Sequence, residues 1–273
     1  MTTRFLNVPG GQLFVVDEGS GPPIVLLHAG IADQRSWSEM VPLLNTAGYR
    51  TIRYDQRGAG QTTTEDVAFS RIDDLVAVLV ASSISRAVLV GNSMGGVLAF
   101  DTAIEHPDRV VAVVGVGAGL GGFDGGNTPQ ELALFKEMDE LEAMDPVDPA
   151  AVAEIDARVW VDGPGQPSTR VPAAIRDLVL EMDTWDPSKP QGKPVRLDPP
   201  ASERLAELRC PVLAVAGEFD VSEVAVTARH LEANAPNARA LIWPDVAHMI
   251  GMEQPQRLTD AIVAFLAPLE RWS

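Results

Sequence analysis

A serine between glycines is the feature of this sequence most able to do chemistry. Residues 91–96 read Gly-Asn-Ser-Met-Gly-Gly and directly follow the apolar run 86–90. Apolar residues then recur at helical spacing until Pro107, so the pattern predicts a strand, a sharp turn with Ser93 at its apex, and a helix. Glycines let such a turn bend tightly and expose the serine hydroxyl. Because the chain has 23 glycines, the motif alone is a weak indication.

A serine hydroxyl is a poor nucleophile unless a neighbouring base accepts its proton. Of the four histidines, His248 follows the last predicted strand, in the loop 244–249. Loops at the carboxyl ends of parallel strands are where active-site groups gather in open α/β sheets. The other three are expected in a turn or in helices: His28, His106 and His230. We therefore predict His248 as the base.

The base in turn needs an acceptor that fixes its tautomer. Two carboxylates follow the preceding predicted strand, Glu218 and Asp220. Asp220 has an alternative role as the N-cap of a helix that begins near Ser222. Both carboxylates remain candidates at this stage, although serine, acid and histidine each stand just beyond a predicted parallel strand.

Acyl transfer also needs backbone N–H groups that stabilise a developing oxyanion. Met94 follows the serine and opens its helix, so its N–H is one candidate donor. The loop at residues 28–31, which reads His-Ala-Gly-Ile, comes after an early strand and is the candidate for the second. The alternative for this loop is a simple tight turn.

Short apolar runs alternate with amphipathic stretches in the first and last parts of the chain. This alternation predicts an α/β fold with a mostly parallel central sheet flanked by helices. The predicted strands are 12–16, 24–27, 50–54, 87–90, 110–116, 212–216 and 238–243, and the predicted helices besides the one after Ser93 are 37–47, 72–81, 224–231 and 255–266.

Residues 121–205 have a different character. Three apolar stripes at helical spacing are followed by a proline-rich stretch, and no strand is expected. We predict a helical insertion here, with the α/β core formed by residues 1–120 and 206–273. Large apolar side chains of the insertion are candidates to line a substrate pocket, although such residues more often form a core: Trp160, Met182 and Trp185.

Composition excludes several classes of partner. The chain has 38 Asp and Glu against 21 Lys and Arg, a net charge of −17, and no basic cluster, which argues against nucleic acid and anionic membranes. Its single cysteine, Cys210, cannot form an internal disulfide. Because no segment is typical of a signal peptide or a membrane span, a cytoplasmic protein is expected.

Neither a metal nor a nucleotide cofactor is expected. No His, Cys, Asp and Glu residues have the spacing of metal ligands. Residues 117–122 match Gly-x-Gly-x-x-Gly after a predicted strand, but 123–127 continue as a loop, whereas a dinucleotide site needs a helix to open there. We interpret 117–122 as the flexible exit from the sheet into the insertion.

Taken together, the motifs resemble the α/β-hydrolase fold family over nearly the whole chain. The matching segments are 28–30, 55–60, 91–96, 217–220 and 247–248. The resemblance implies that Asp220 rather than Glu218 is the acid. It also implies that Gly30 is the second oxyanion donor, in a loop that usually reads His-Gly-x and has Ala29 here. In such families 55–60 is a structural turn, and 121–205 would be a cap (lid) over the site.

A serine at position 93 separates this chain from the family's aspartate-nucleophile members, the haloalkane dehalogenases and epoxide hydrolases. The spacing from His28 to Trp37 and the Met-Gly-Gly after Ser93 look most like the carboxylesterases and enol-lactonases. The resemblance thus implies cleavage of a small or medium carboxylic ester or lactone through an acyl-enzyme on Ser93. The alternatives are a cofactor-free perhydrolase or a carbon–carbon bond hydrolase with the same triad, and a ligand-binding receptor that retains the fold.

Overall fold

A nine-stranded sheet forms the centre of the molecule. The computed structural model describes residues 1–183 and 189–269. The strands of the sheet are β1 (Thr2–Val8), β2 (Gly11–Gly19), β3 (Pro23–Leu27), β4 (Arg50–Tyr54), β5 (Thr63–Thr64), β7 (Ala87–Asn92), β8 (Val110–Val116), β10 (Val212–Gly217) and β11 (Ala238–Trp243). Two further strands, β6 (Ala68–Phe69) and β9 (Lys193–Pro194), pair with each other elsewhere.

The order across the sheet is β1-β2-β4-β3-β7-β8-β10-β11, with β5 beside β2. Strand β2 runs antiparallel to its neighbours, and the pairs from β4 to β11 are parallel. All residues of β3, β7 and β10 are buried, as expected for parallel strands covered on both faces. Alternate side chains of β3 pack into two separate hydrophobic clusters. Val25 and Leu27 belong to one cluster, and Ile24 and Leu26 belong to the other.

Helices cover both faces of this sheet. The helices of the described residues are α1 (Met40–Thr46), α2 (Arg71–Ala81), α3 (Met94–Glu105), α4 (Pro129–Glu142), α5 (Pro149–Asp156), α6 (Ala173–Met182), α7 (Ser222–Asn234), α8 (Ile250–Glu253) and α9 (Pro255–Leu266), and α4, α5 and α6 belong to the segment 121–205. The predicted fold class is therefore confirmed. Among the residues described, no helix has the length and apolar character needed to cross a membrane.

The predicted helix 37–47 is divided into two pieces. A 3-10 turn spans Gln34–Trp37, and α1 begins only at Met40. The Asp33 side chain accepts a hydrogen bond from the N–H of Arg35 at 2.8 Å, which caps the 3-10 turn and starts it earlier than the apolar pattern indicates.

The three apolar stripes of 121–205 correspond to α4, to α5 with a π-helical turn at Ala157–Asp162, and to α6. The expectation that this segment contains no strand is wrong at one place, because β9 pairs in parallel with β6. Apolar side chains of this segment pack against the rest of the chain. Val161 and Met182 lie in one buried cluster with Ala29 and Met249.

Candidate active site

Ser93 lies at the junction of β7 and α3 in a strained backbone conformation, with φ 53° and ψ −117°. Such a conformation is costly for a non-glycine residue and persists only where its surroundings impose it. The glycines around it allow close packing: a Cβ on Gly91 would lie 2.1 Å from the Gly95 oxygen, and one on Gly95 would lie 2.3 Å from the Leu27 oxygen. Ser93 itself is partly exposed.

His248 and Asp220 form a buried pair. His248 Nδ1 lies 3.0 and 2.9 Å from the two carboxylate oxygens of Asp220. Because an ionised carboxylate can only accept hydrogen bonds, the proton of a neutral His248 lies on Nδ1, and Nε2 is left free to accept another. The structure therefore gives His248 the tautomer that a general base for a serine requires.

The choice between the two carboxylates follows from their burial. Glu218 is exposed, whereas the Asp220 side chain is fully buried against His248. The N-cap alternative for Asp220 is not supported, because the N-cap of α7 is Val221. Asp220 Oδ1 instead accepts the N–H of Val221 at 2.8 Å.

Backbone contacts hold the loops of Asp220 and His248 together. The N–H of Phe219 donates to the Val246 carbonyl at 2.9 Å, and a Cβ on Gly217 would lie 2.2 Å from the same oxygen. The N–H of Ala247 donates to Glu253 at 3.0 Å. The loops that follow β10 and β11 are thereby fixed to each other and to α8.

Asn92 and Gly117 also lie against His248, and no sequence motif predicted this for either residue. The Asn92 amide donates to the carbonyls of Val116 at 2.9 Å and His248 at 3.2 Å. Gly117 has φ +55°, and a Cβ there would lie 3.0 Å from the His248 oxygen and 3.1 Å from its Nδ1. The first glycine of the 117–122 motif thus lies against the candidate base.

Glu131 of α4 was also missed. Its Oε1 accepts hydrogen bonds from the N–H and hydroxyl of Ser222, at 2.9 and 2.8 Å. Its Oε2 accepts the N–H of Thr128 within a capping box. One buried carboxylate therefore caps α7 just after Asp220 and attaches the insertion to it. The capping-box spacing Thr128-x-x-Glu131 was the available sequence signal.

Trp160, in the π-helical turn, covers the imidazole of His248. The ring centroids are 4.6 Å apart with an interplanar angle of 47°, and the indole N–H donates to Asp156 at 3.1 Å. Burial, together with the neighbouring carboxyl of Asp183, raises the pKa of Asp156 to about 8. Phe135 stacks on the indole at 5.9 Å.

His28 organises the loop before Gly30 and takes no part in the pair above. It is fully buried, its Nε2 accepts the N–H of Gln56 at 2.8 Å, and its Nδ1 lies 2.7 Å from the Ala29 carbonyl. Burial lowers its pKa to about 4, so it is neutral and Nδ1 donates. The Ala29 methyl is buried and Gly30 is exposed.

The two remaining histidines lie just after α3 and within α7. His106 is the C-cap of α3. His230 stacks on Phe123 with ring centroids 4.1 Å apart.

Ser93, Met94, Trp160 and His248 line one cavity of about 460 Å³. Its other walls are mostly apolar, from Val97, Leu98, Leu197, Val221 and Val224, with four charged side chains, Arg71, Asp101, Arg196 and Glu223. Of the predicted pocket residues, Trp160 is on this wall. Met182 is buried in the cluster with Ala29 and Met249, so it packs rather than lines the cavity. Trp185 lies outside the described residues.

No group of three or more His, Cys, Asp and Glu side chains within 1–183 and 189–269 is placed to hold a metal ion.

A family model described as alpha/beta hydrolase fold matches residues 22–255. The chain belongs to the α/β-hydrolase fold family. The resemblance drawn from the motifs is therefore confirmed, and the relatives of this α/β-hydrolase are themselves named as enzymes.

Individual relatives carry several activities. A putative non-heme bromoperoxidase (BpoC) of Mycobacterium tuberculosis is 27% identical over 262 residues, which is 93% of this chain and 97% of that protein. The solved structure of Est816, described as an N-acyl homoserine lactone degrading enzyme, is 25% identical with a TM-score of 0.66, covering 96% of this chain and 100% of its own. The structure of esterase RhEst1 from Rhodococcus sp. ECU1013 is 24% identical with a TM-score of 0.79. The match covers 99% of this chain and 100% of RhEst1, and it shows that the two share a fold.

Proposed function

We propose that this α/β-hydrolase is a serine hydrolase that cleaves a small or medium carboxylic ester or lactone through an acyl-enzyme on Ser93. The observation that carries the proposal is the buried Asp220–His248 pair, with the carboxylate 2.9 Å from Nδ1, on the same cavity as a strained Ser93. Nucleophile, base and orienting acid are the minimum set for this chemistry.

In the proposed reaction the Ser93 hydroxyl oxygen attacks the substrate carbonyl while His248 Nε2 takes its proton. Asp220 stabilises the imidazolium that forms. The tetrahedral intermediate then collapses, and the alcohol leaves with the proton from Nε2. Water, activated by the same nitrogen, hydrolyses the acyl-enzyme and returns the proton to Ser93.

The oxyanion is proposed to be bound by the N–H groups of Met94 and Gly30. Met94 opens α3, and the first N–H groups of a helix have no acceptor within it. Gly30 lies just beyond Leu27, which is in register with Gly91 in the neighbouring strand β7. This register supports the proposal, because the loop 28–31 leaves β3 beside the end of the strand that leads into Ser93.

The cap role of residues 121–205 is also a proposal, supported by Trp160, which reaches from this segment onto His248. A mostly apolar cavity of about 460 Å³ is within the size range of small-molecule sites. The likeness to the lactone-degrading Est816 supports including lactones among the substrates.

A second candidate is a cofactor-free perhydrolase with the same triad, favoured by the likeness to the putative bromoperoxidase over 93% of the chain. Peroxide would replace water in the deacylation of Ser93 and release a peracid. Peroxide-dependent bromination in acetate buffer, compared with ester hydrolysis at equal enzyme, separates the two. Bromination faster than hydrolysis would favour the perhydrolase.

The test of the proposal is Ser93→Ala, assayed with p-nitrophenyl acetate, butyrate and octanoate and with simple lactones. Loss of the nucleophile should reduce kcat by about 10⁴-fold or more. Ser85→Ala, which removes an exposed serine hydroxyl, should leave kcat unchanged. Turnover by Ser93→Ala within about tenfold of the wild type would refute the covalent mechanism.

A further inference from the structure

Arg71, the first residue of α2, places its guanidinium on the wall of the cavity that contains Ser93 and His248. Its Nε is buried and has no hydrogen-bond partner. Throughout the part of the chain that the structure describes, the guanidinium forms no ion pair. It lies over the Phe69 ring, whose centroid is 5.7 Å from its Cζ.

Arg57 lies beside the same phenylalanine ring as Arg71, but its guanidinium has hydrogen-bond partners. Its Cζ lies 4.5 Å from the same Phe69 ring, but its guanidinium donates two hydrogen bonds to Asp74, at 2.7 and 3.0 Å. It also donates to the carbonyls of Gly10 and Pro9. Asp74, whose charge also acts on Arg71, therefore accepts its hydrogen bonds from Arg57, and it forms no ion pair with Arg71.

An unpaired, largely buried guanidinium is unfavourable, and it is unexpected in a chain with 38 acidic side chains against 21 basic ones. Burial lowers the pKa of Arg71 from its usual value, Tyr54 and Asp74 partly oppose this shift, and the charge of Arg196 adds to it. Arg196 also lines the cavity, so two cations lie near each other on one part of the wall.

The acidic side chains of the cavity lie elsewhere on its wall. Asp101 is on α3, near Glu105 and Arg204, and Glu223 is on α7 beside Gly125. The cavity therefore has a cationic region at Arg71 and Arg196. A planar guanidinium with free donors fits a carboxylate in a bidentate arrangement.

We propose that Arg71 binds a free carboxylate of the substrate, so that the preferred substrates are esters or lactones that carry a second, ionised carboxyl group, such as half-esters of dicarboxylic acids. This inference rests on the proposed hydrolase function. It adds a substrate class and a specificity-determining residue to it.

The test compares monomethyl and dimethyl esters of succinate, glutarate and adipate, which differ only in the free carboxylate and in its distance from the scissile bond. The wild type should prefer the half-ester at one chain length. Arg71→Met should lower kcat/KM for that half-ester by about 10- to 100-fold, as expected for loss of a charged hydrogen bond. The same variant should change kcat/KM for the diester by no more than about threefold.

Two control variants make the test specific. Arg71→Lys keeps the charge without the bidentate geometry and should lose an intermediate amount. Arg86→Met removes one exposed positive charge away from the cavity and should leave both substrates unaffected. A wild type that prefers diesters at every chain length, or an Arg71→Met loss of equal size on both substrates, would overturn the proposal.

A binding measurement separates this proposal from the hydrolase proposal, because it needs no turnover. Glutarate should bind to Ser93→Ala, measured by calorimetry, and binding should weaken at least about tenfold in the double variant with Arg71→Met. Ester hydrolysis that requires Ser93, without any effect of Arg71, would refute only the carboxylate site. Glutarate binding through Arg71 without Ser93-dependent hydrolysis would refute only the proposed function.

Discussion

Replacing Asp220 by Asn should nearly abolish turnover without unfolding the protein. In the native chain Oδ1 accepts the N–H of Val221 at 2.8 Å, and His248 Nδ1 lies 3.0 Å from Oδ1 and 2.9 Å from Oδ2. The asparagine carbonyl will occupy the position that faces the Val221 N–H, so its NH₂ group takes the place of Oδ2, the oxygen nearer to Nδ1. Because this NH₂ group can only donate a hydrogen bond, we expect the imidazole proton to move to Nε2.

With the proton on Nε2, His248 can no longer accept one from Ser93. In a serine–histidine–aspartate triad the same exchange costs about 10⁴-fold in kcat, which corresponds to about 5.5 kcal/mol of activation free energy. The assay is kcat with a saturating p-nitrophenyl ester, with thermal melting to confirm that the variant is folded.

Glu218→Gln is the matched control. It removes one carboxylate charge two positions away, but from an exposed side chain, so kcat should remain within about twofold of the wild type. A folded Asp220→Asn enzyme with more than about a tenth of wild-type kcat, or a larger loss in Glu218→Gln than in Asp220→Asn, would refute the assignment of Asp220.

Three further predictions follow from contacts around His248. Trp160→Ala removes the ring that covers His248 and should lower kcat/KM about tenfold. Trp160→Phe keeps an aromatic ring and should lower kcat/KM less. Equal reductions of kcat/KM in steady-state kinetics would contradict this prediction. Gly117→Ala should lower both kcat and Tm, because φ is +55° and the new Cβ would lie 3.0 Å from the His248 oxygen. Gly119→Ala is the control, since the nearest atom to a Cβ there is 3.9 Å away. Equal effects of the two substitutions would refute the contact. Burial raises the pKa of Asp156 to about 8, far above its unfolded value of about 3.9, so native stability is lost as pH rises from about 4 to about 8. Asp156→Asn should therefore gain Tm relative to the wild type over that range, and parallel melting curves against pH would contradict it.

The sequence was sufficient for seven of the nine strands of the sheet and for the loops that carry the candidate site residues, but it did not predict β1 or β5. Buried parallel strands appear as continuous apolar runs, so the loops of Ser93, Asp220 and His248 could be located from where the runs stop. The choice of Asp220 over Glu218 needed the family resemblance. The residues alone could not settle it, because burial depends on how the loops after β10 and β11 pack.

The contacts made at long range could not be predicted. Asn92 donates to the His248 carbonyl, and Gly117 leaves the space that His248 occupies, although both are more than a hundred positions away; no local pattern encodes such a contact. Trp160 points at His248 from a π-helical turn, where regular helical spacing no longer tells which residues share a face. That Arg71 forms no ion pair could not be predicted, because it depends on where the neighbouring carboxylates lie in the folded structure.

Labelling by a fluorophosphonate shows whether Ser93 is the nucleophile, because the probe reacts covalently only with an activated serine. Tryptic cleavage after Arg86 and Arg109 releases residues 87–109, in which Ser93 is the only serine. We expect one equivalent of label on this peptide and none on Ser93→Ala, with esterase activity lost in proportion to labelling. Full inactivation with the label on any other residue, or an unlabelled enzyme that still hydrolyses esters, would contradict it.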